Sequence, residues 1–296
     1  MKKIFTFFTL LILFNTYSWA QEDLLSQIKL DSAKKEYVKS AFKSPRVIMS
    51  HSIEFLNPGT MDFRILHRFG TLDQGYKNFY GLDQASMRLG FDFGIKRNLM
   101  VGVGRSTYKK EVDVYAKYAP LQQTTDNKMP ITLALVSGMT MNTSPWQNPN
   151  QKNFFTSRLG YYFQAIAGRK INSKLTLQIA PTLVHTNLVV YDFQDNNVFA
   201  LGIGGRYKVS KRIAITCDYY HNFNGLQEGI TYDPLSVGVD IETGGHVFQL
   251  HFSNATGMNE RAFINETYGR WGKGEIRWGF NLSRIFQITK RKKNSW

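Results

Sequence analysis

The chain of 296 residues carries 37 Lys and Arg against 22 Asp and Glu, a formal net charge of +15, and a single Cys. One thiol excludes an intrachain disulfide framework, and the absence of Cys-x-x-Cys-His excludes covalent haem attachment.

Lys2 and Lys3 precede an apolar run over 4–14, and Ser18-Trp19-Ala20 puts small residues where a signal peptidase reads. Residues 1–20 are therefore expected to be a cleaved export signal. The run is shorter than the ~20 residues a spanning helix needs, and none downstream approaches that length. No Cys opens the mature chain, which argues against a lipoprotein. Residues 21–43 are charged and helix-compatible, Pro45 ends them, and Asn57-Pro58-Gly59 is a turn. The whole of 21–59 is assigned to the periplasm as an N-terminal segment, with the strand-like 46–55 left outside the barrel wall.

From Thr60 the pattern changes to period-two alternation. In 84–95, Ala85, Met87, Leu89, Phe91, Phe93 and Ile95 alternate with Ser86, Arg88, Gly90, Asp92 and Gly94. Similar stretches fall at 60–70, 99–106, 111–119, 129–141, 153–167, 175–191, 198–210 and 213–223. A hairpin over 235–252 follows, turning at Thr243-Gly244-Gly245, and the last strand spans 274–287. One face is apolar throughout, while the other carries small, polar and ionisable residues. Long and short connections alternate, with few exceptions, as in transmembrane barrels that turn tightly on the periplasmic side. The count is even, and closure removes the unpaired edges that hydrocarbon penalises. The expectation is an all-β, transmembrane antiparallel β-barrel of twelve strands over 60–288, followed by a basic tail at 289–296 that contains Lys290-Arg291-Lys292-Lys293. An exported barrel meets no nucleic acid, so its basic groups are expected to face outer-membrane lipid and lipopolysaccharide.

The stretches Tyr-Gly-Leu-Asp-Gln-Ala-Ser-Met-Arg-Leu-Gly (80–90), Pro-Thr-Leu-Val-His-Thr-Asn-Leu (181–188) and Gly-Val-Asp-Ile-Glu-Thr-Gly-Gly-His-Val-Phe-Gln-Leu-His-Phe (238–252) resemble the DUF5777 family. His67-Arg68-Phe69-Gly70 and Trp278-Gly279-Phe280-Asn281 do so too. The resemblance implies an outer-membrane β-barrel of Bacteroidetes-type bacteria. It implies no activity, so no catalytic or binding residue is carried over.

Alternation places Arg64, Arg68, Arg88, Arg158, Arg206 and Arg277 on the lumen face, opposite Asp62, Asp92, Asp113, Asp218, Asp240 and Glu275. These charges are expected to pair with one another, since an unpaired buried charge is costly. The functional alternative is a polar conduit, whose near balance of signs argues against strong ion selectivity. His251 and Ser253 share a face and, with Asn281 or Glu275 to orient the His, could form a Ser-His site of a phospholipase or lipid A deacylase. Against this, His251 points into the lumen, away from lipid. Gly-x-Gly at 102–104 and 202–204 precedes no helix and reads as small inward residues easing curvature. Cys217 falls on the lipid face, and no spacing suggests a metal site or a cofactor. The sequence thus favours a passive small-solute channel, or a structural or scaffolding barrel for a periplasmic or surface partner, over a lipid hydrolase. The 243–245 turn is expected to pack against the N-terminal segment.

Overall fold

Twelve antiparallel strands hydrogen-bond in chain order, and the last returns to the first. They are seen in a computed structural model that describes residues 35–146, 148–189, 194–224 and 229–289. The expected signal peptide at 1–20 and the basic cluster at 290–293 lie outside the described residues. The strands are β1 (Thr60–Thr71), β2 (Ala85–Lys96), β3 (Leu99–Ser106), β4 (Glu111–Leu121), β5 (Thr132–Asn142) and β6 (Leu159–Lys170), then β7 (Leu175–Thr186), β8 (Asn197–Lys208), β9 (Ile213–Asn222), β10 (Leu235–Thr243), β11 (His246–Ser253) and β12 (Arg277–Gln287). β1 closes on β12 from Thr60↔Gln287 to Thr71↔Arg277, so both ends of the wall lie at the same mouth. Strand lengths of 8 to 12 residues suit tilted strands crossing a bilayer.

The alternation turns the usual burial pattern inside out. Phe91, Phe163, Ile203 and Leu250 point outward and are 38% to 50% exposed, while Arg64, Arg68, Arg88 and Asp218 point inward and are at most 3% exposed. The β10–β11 hairpin closes in two residues, Gly244 and Gly245, with Gly244 at φ 50, where a side chain would be strained. The connections on this side are tight except 122–131, and those on the other are long except 107–110. The 122–131 connection is longer because it receives the incoming N-terminal chain, through a bridge from Tyr37 to Thr124.

The N-terminal segment stays out of the barrel wall as expected, but it lies inside the lumen rather than beside the barrel. Residues 41–56 enter the lumen from the short-turn mouth, and Phe42, Val47, Ile48, Met49, Ile53 and Leu56 are at most 5% exposed. The stretch expected to be strand-like, 46–55, forms no strand. It bends back on itself through an Arg46↔His51 bridge and a Val47 N–H to Ser50 C=O bond. The β1–β12 seam leaves no wall edge for it to join, and its apolar residues instead join a buried cluster inside the barrel with Tyr115, Tyr162, Ile166 and Tyr220. The chain leaves by the mouth it entered, with the Gly59 N–H donating to Gly94 C=O.

A second insertion comes from the opposite mouth. The 254–276 connection folds inward, and residues Glu260–Asn265 form a short helix, α1. The Asn259 side chain caps α1 by accepting from the Ala262 N–H. Ala255, Met258, Ala262, Phe263 and Ile264 are at most 1% exposed, which a solvent-facing loop would not allow.

Candidate functional site

The lumen is the candidate site, and its wall is lined by charge pairs, within one strand, between neighbours, or across an intervening strand. Arg64 donates to Asp62 at 2.6 Å and lies 3.4 Å from Asp92. Arg88 grips Asp113 with two hydrogen bonds, Nε to Oδ1 at 2.8 Å and Nη2 to Oδ2 at 2.5 Å. Arg206 donates to Glu242 at 2.8 Å and approaches Asp240 at 3.5 Å. The fork at Arg88 satisfies both partners' geometry and limits the cost of burial, whereas Arg64 Nε and Nη1 and Arg206 Nε are buried without a hydrogen-bond partner among the described residues. Arg68 instead donates to the Asn281 side chain and the His67 carbonyl.

Two expected lumen residues sit elsewhere, and a third, Arg277, keeps the lumen phase of β12 but at its first residue. Arg158 belongs to a 3-10 turn (Phe155–Arg158) before β6, where it donates to the Asn142 and Ser144 carbonyls and covers the Trp146 ring. The alternation of β6 begins only at Leu159, so extending it back to Arg158 assigned a rim residue to the wall. Glu275 precedes β12 and pairs with Arg270. Arg277 opens β12 at the long-loop rim and donates to the Phe69 carbonyl.

The proposed Ser-His pair does not assemble. Ser253 Oγ shares a hydrogen bond with Ser236 Oγ at 2.9 Å and accepts from the Ala255 N–H. Both ring nitrogens of His251 lack a hydrogen-bond partner among the described residues. Asn281 is occupied by Arg68, Gln249 and the Ile48 carbonyl. No third group orients the His, and both candidates face the filled lumen rather than lipid.

What the strand pattern could not show is that two insertions meet at mid-lumen. Arg46, from the N-terminal side, donates to Glu260 of α1 at 2.9 Å, with side chains 2% and 0% exposed. His51 Nε2 lies 3.3 Å from the same carboxylate. Burial, followed by the charge of Arg46, holds the His51 pKa well below its ordinary value. The ring is neutral, and this contact is therefore not an ion pair. Behind α1, Arg261 binds Glu111 of the wall and Glu266 of its own loop, and Lys109 adds a 2.7 Å bond to Glu266.

Asp218, expected merely to line the lumen, holds the tip of the inserted segment. One of its oxygens, Oδ2, accepts from the N–H groups of Ile48, Met49 and Ser50 at 3.3, 2.9 and 3.1 Å, and from Ser50 Oγ at 3.1 Å. Successive N–H groups turned to one point form a nest for negative charge. Lys43 pairs with Glu242 at 2.9 Å beside the Gly244-Gly245 turn, bringing that hairpin against the N-terminal segment.

The inward glycines also make room for groups that fill the lumen. Gly102, Gly138 and Gly202 are the register partners of Tyr115, Tyr162 and Tyr220, and a Cβ on any of them would lie within 2.5 Å of the facing ring. At Gly204 and Gly168 a Cβ would come within 3.1 Å of Val47 and 2.8 Å of Ile53. They are therefore cut-outs for rings and for the inserted segment, beyond any easing of curvature.

A sealed ring of strands, apolar outside and polar within, matches a family model described as a membrane-bound β-barrel domain, DUF5777, over residues 42–286. The chain belongs to this family. A search of curated proteins returned no match. Among solved structures, this DUF5777 barrel is similar to the KdgM porin at 9% identity, covering 77% of this chain and 99% of that one, with a TM-score of 0.47. It is similar to the outer membrane protein Omp33 of Acinetobacter baumannii at 8% identity, covering 77% and 98%, with a TM-score of 0.42. It is also similar to the outer membrane phospholipase A from Escherichia coli at 11% identity, covering 81% and 96%, with a TM-score of 0.41. At these values the likeness is one of barrel architecture alone.

Proposed function

We propose that this DUF5777 barrel is an outer-membrane conduit for small polar solutes that is closed at rest, with residues 41–56 as a removable plug. On this reading the short-turn mouth faces the periplasm and the long loops face outward. The observation that carries it is the path of the inserted segment. It enters past Thr124 and leaves past Gly94, both at the short-turn mouth. It can therefore withdraw without threading the wall. It is held by wall side chains rather than by strand pairing, so its release costs the sheet no ladder hydrogen bonds. The second reading, a structural or scaffolding barrel for a periplasmic or surface partner, is favoured by the buried meeting of the two insertions at Arg46 and Glu260.

Planar-bilayer recording of the full chain separates the two. The intact protein should be closed for most of each record. Asp218→Ala, which removes the acceptor at the plug tip, should raise the open fraction at least tenfold. A steady ohmic current from the intact protein would show that it is not closed at rest. An Asp218→Ala protein as silent as the wild type at every voltage would leave only the scaffold.

A further inference from the structure

The wall holds the plug mainly by its backbone. Gln178 Nε2 donates to the His51 carbonyl at 2.7 Å while its Oε1 accepts from the Ile53 N–H at 3.0 Å. These two groups, on alternate residues of one chain, are what a neighbouring β-strand would engage, and one side-chain amide substitutes for that strand. Gln249 donates to the Val47 carbonyl at 2.6 Å and Asn281 to the Ile48 carbonyl at 3.0 Å. Lys117 donates to the Glu54 carbonyl at 2.6 Å and Thr176 to the Ala41 carbonyl at 2.8 Å. Asp218 collects three consecutive backbone N–H groups. These six wall residues come from five different strands, β4, β7, β9, β11 and β12, and ring the lumen.

Contacts to backbone carry no side-chain information, so the same wall can engage another chain in a similar extended, bent path. The shape of the site is also that of a peptide groove. Room for side chains is left by small wall residues, Val47 lying against Gly204, Ile53 against Gly168 and Ile48 against Gly238. A sugar or a simple ion presents no alternating N–H and C=O groups to satisfy Gln178 and Asp218 together, whereas a peptide does at every residue.

We infer that the lumen is a polypeptide-binding site occupied by the chain's own residues 41–56, and that the solute admitted when they leave is a peptide. This deepens the conduit proposed above and rests on the plug being removable.

The experiment uses the full chain, folded and then nicked at a protease site engineered into the exposed 57–58 turn, which makes the plug exchangeable. Fluorescein-labelled peptide of sequence 41–56 is added, and its anisotropy is followed. The expected result is saturable binding, competed by the unlabelled peptide and by a variant with Ala at 47, 48 and 49 within about tenfold of the parent. A maltooligosaccharide of similar length should not compete. Gln178→Leu should weaken binding at least tenfold, and a Gln178→Glu or Gln249→Leu protein provides a second reading if that variant does not fold. No binding to the nicked barrel, a plug that never exchanges, or equal competition by the oligosaccharide would each overturn the inference. Conductance of the same nicked sample keeps the two ideas apart. Peptide binding without current sinks the conduit alone, and current without peptide binding sinks the peptide site alone.

Discussion

Arg46 and Glu260, 214 residues apart in sequence, form an ion pair 2.9 Å long at mid-lumen, where insertions from opposite mouths touch. Breaking a buried pair by removing one partner typically costs about 3–5 kcal/mol, because the remaining charge stays buried and unpaired. Burial raises the Glu260 pKa and Arg46 offsets only part of that rise, so the pair is held under strain from desolvation. Arg46→Met, which leaves the Glu260 carboxylate buried without its cation, should therefore weaken the junction strongly, lowering the urea midpoint and raising channel open probability on the order of a hundredfold, the equivalent of about 3 kcal/mol. An Arg46→Met, Glu260→Met double variant should recover most of the loss. If the double variant is as impaired as the single one, the pair is not what joins the two insertions.

Asp218 makes a more local prediction. Its Oδ2 accepts four hydrogen bonds from the plug tip. Asp218→Ala would orphan three backbone N–H groups, each costing about 1–3 kcal/mol if it stays buried. The tip should leave instead. Hydrogen exchange read by mass spectrometry should show faster exchange over 47–51, while peptides from β6 and β7 keep wild-type protection. Unchanged exchange over 47–51 would mean the tip is held by packing alone.

The wall was legible because one physical rule governs it: lipid outside and polar groups inside enforce period-two alternation from Thr60 onward. β3 spans the residues expected of it, and the β10–β11 turn falls at Gly244-Gly245. Alternation fails where neighbours rather than phase decide, which is why Arg158 and Glu275 were assigned to strands that begin just after them. The plug was not legible, because 46–55 has strand-like composition and nothing local distinguishes a lumen segment from a wall strand. Two signals were nonetheless present. Ala262-Phe263-Ile264 is too apolar for the middle of an exposed loop. The inward glycines at 102, 138 and 202 stand opposite inward tyrosines, a size complementarity that already describes a filled lumen.

Gly204 tests that complementarity directly. A Cβ there would lie 3.1 Å from Val47 Cγ2 and as close to the Gln178 amide, and a leucine would need the space the plug occupies. Overpacking of this kind costs about 1–3 kcal/mol, a cost the barrel escapes if the plug gives way. Gly204→Leu should keep the heat-modifiable gel shift of a closed barrel, yet expose Lys43 and Arg46 to trypsin within minutes. Continued protection at both sites would show that the wall, not the plug, accommodates the leucine.

Acid should loosen the opposite insertion through Glu266. Burial alone would raise this carboxyl, but the charges of Arg261 and Lys109 outweigh it and hold its pKa at about 2 against an ordinary 4.5. A carboxyl depressed on folding contributes fully above its unfolded value and loses that contribution as pH falls toward its folded one. The window here runs from pH 4.5 down to 2, and the contribution is about 3 kcal/mol. Glu260, raised by burial, works in the reverse sense, since protonation relieves a cost of its folded form. The comparison must therefore be made against Glu266→Gln, in which every other carboxyl is unchanged. The wild type should be more stable than Glu266→Gln at pH 6, and the difference in denaturation midpoint should shrink steadily below pH 4.5. A difference that stays constant to pH 2 would mean that Glu266 draws no stability from Arg261 and Lys109.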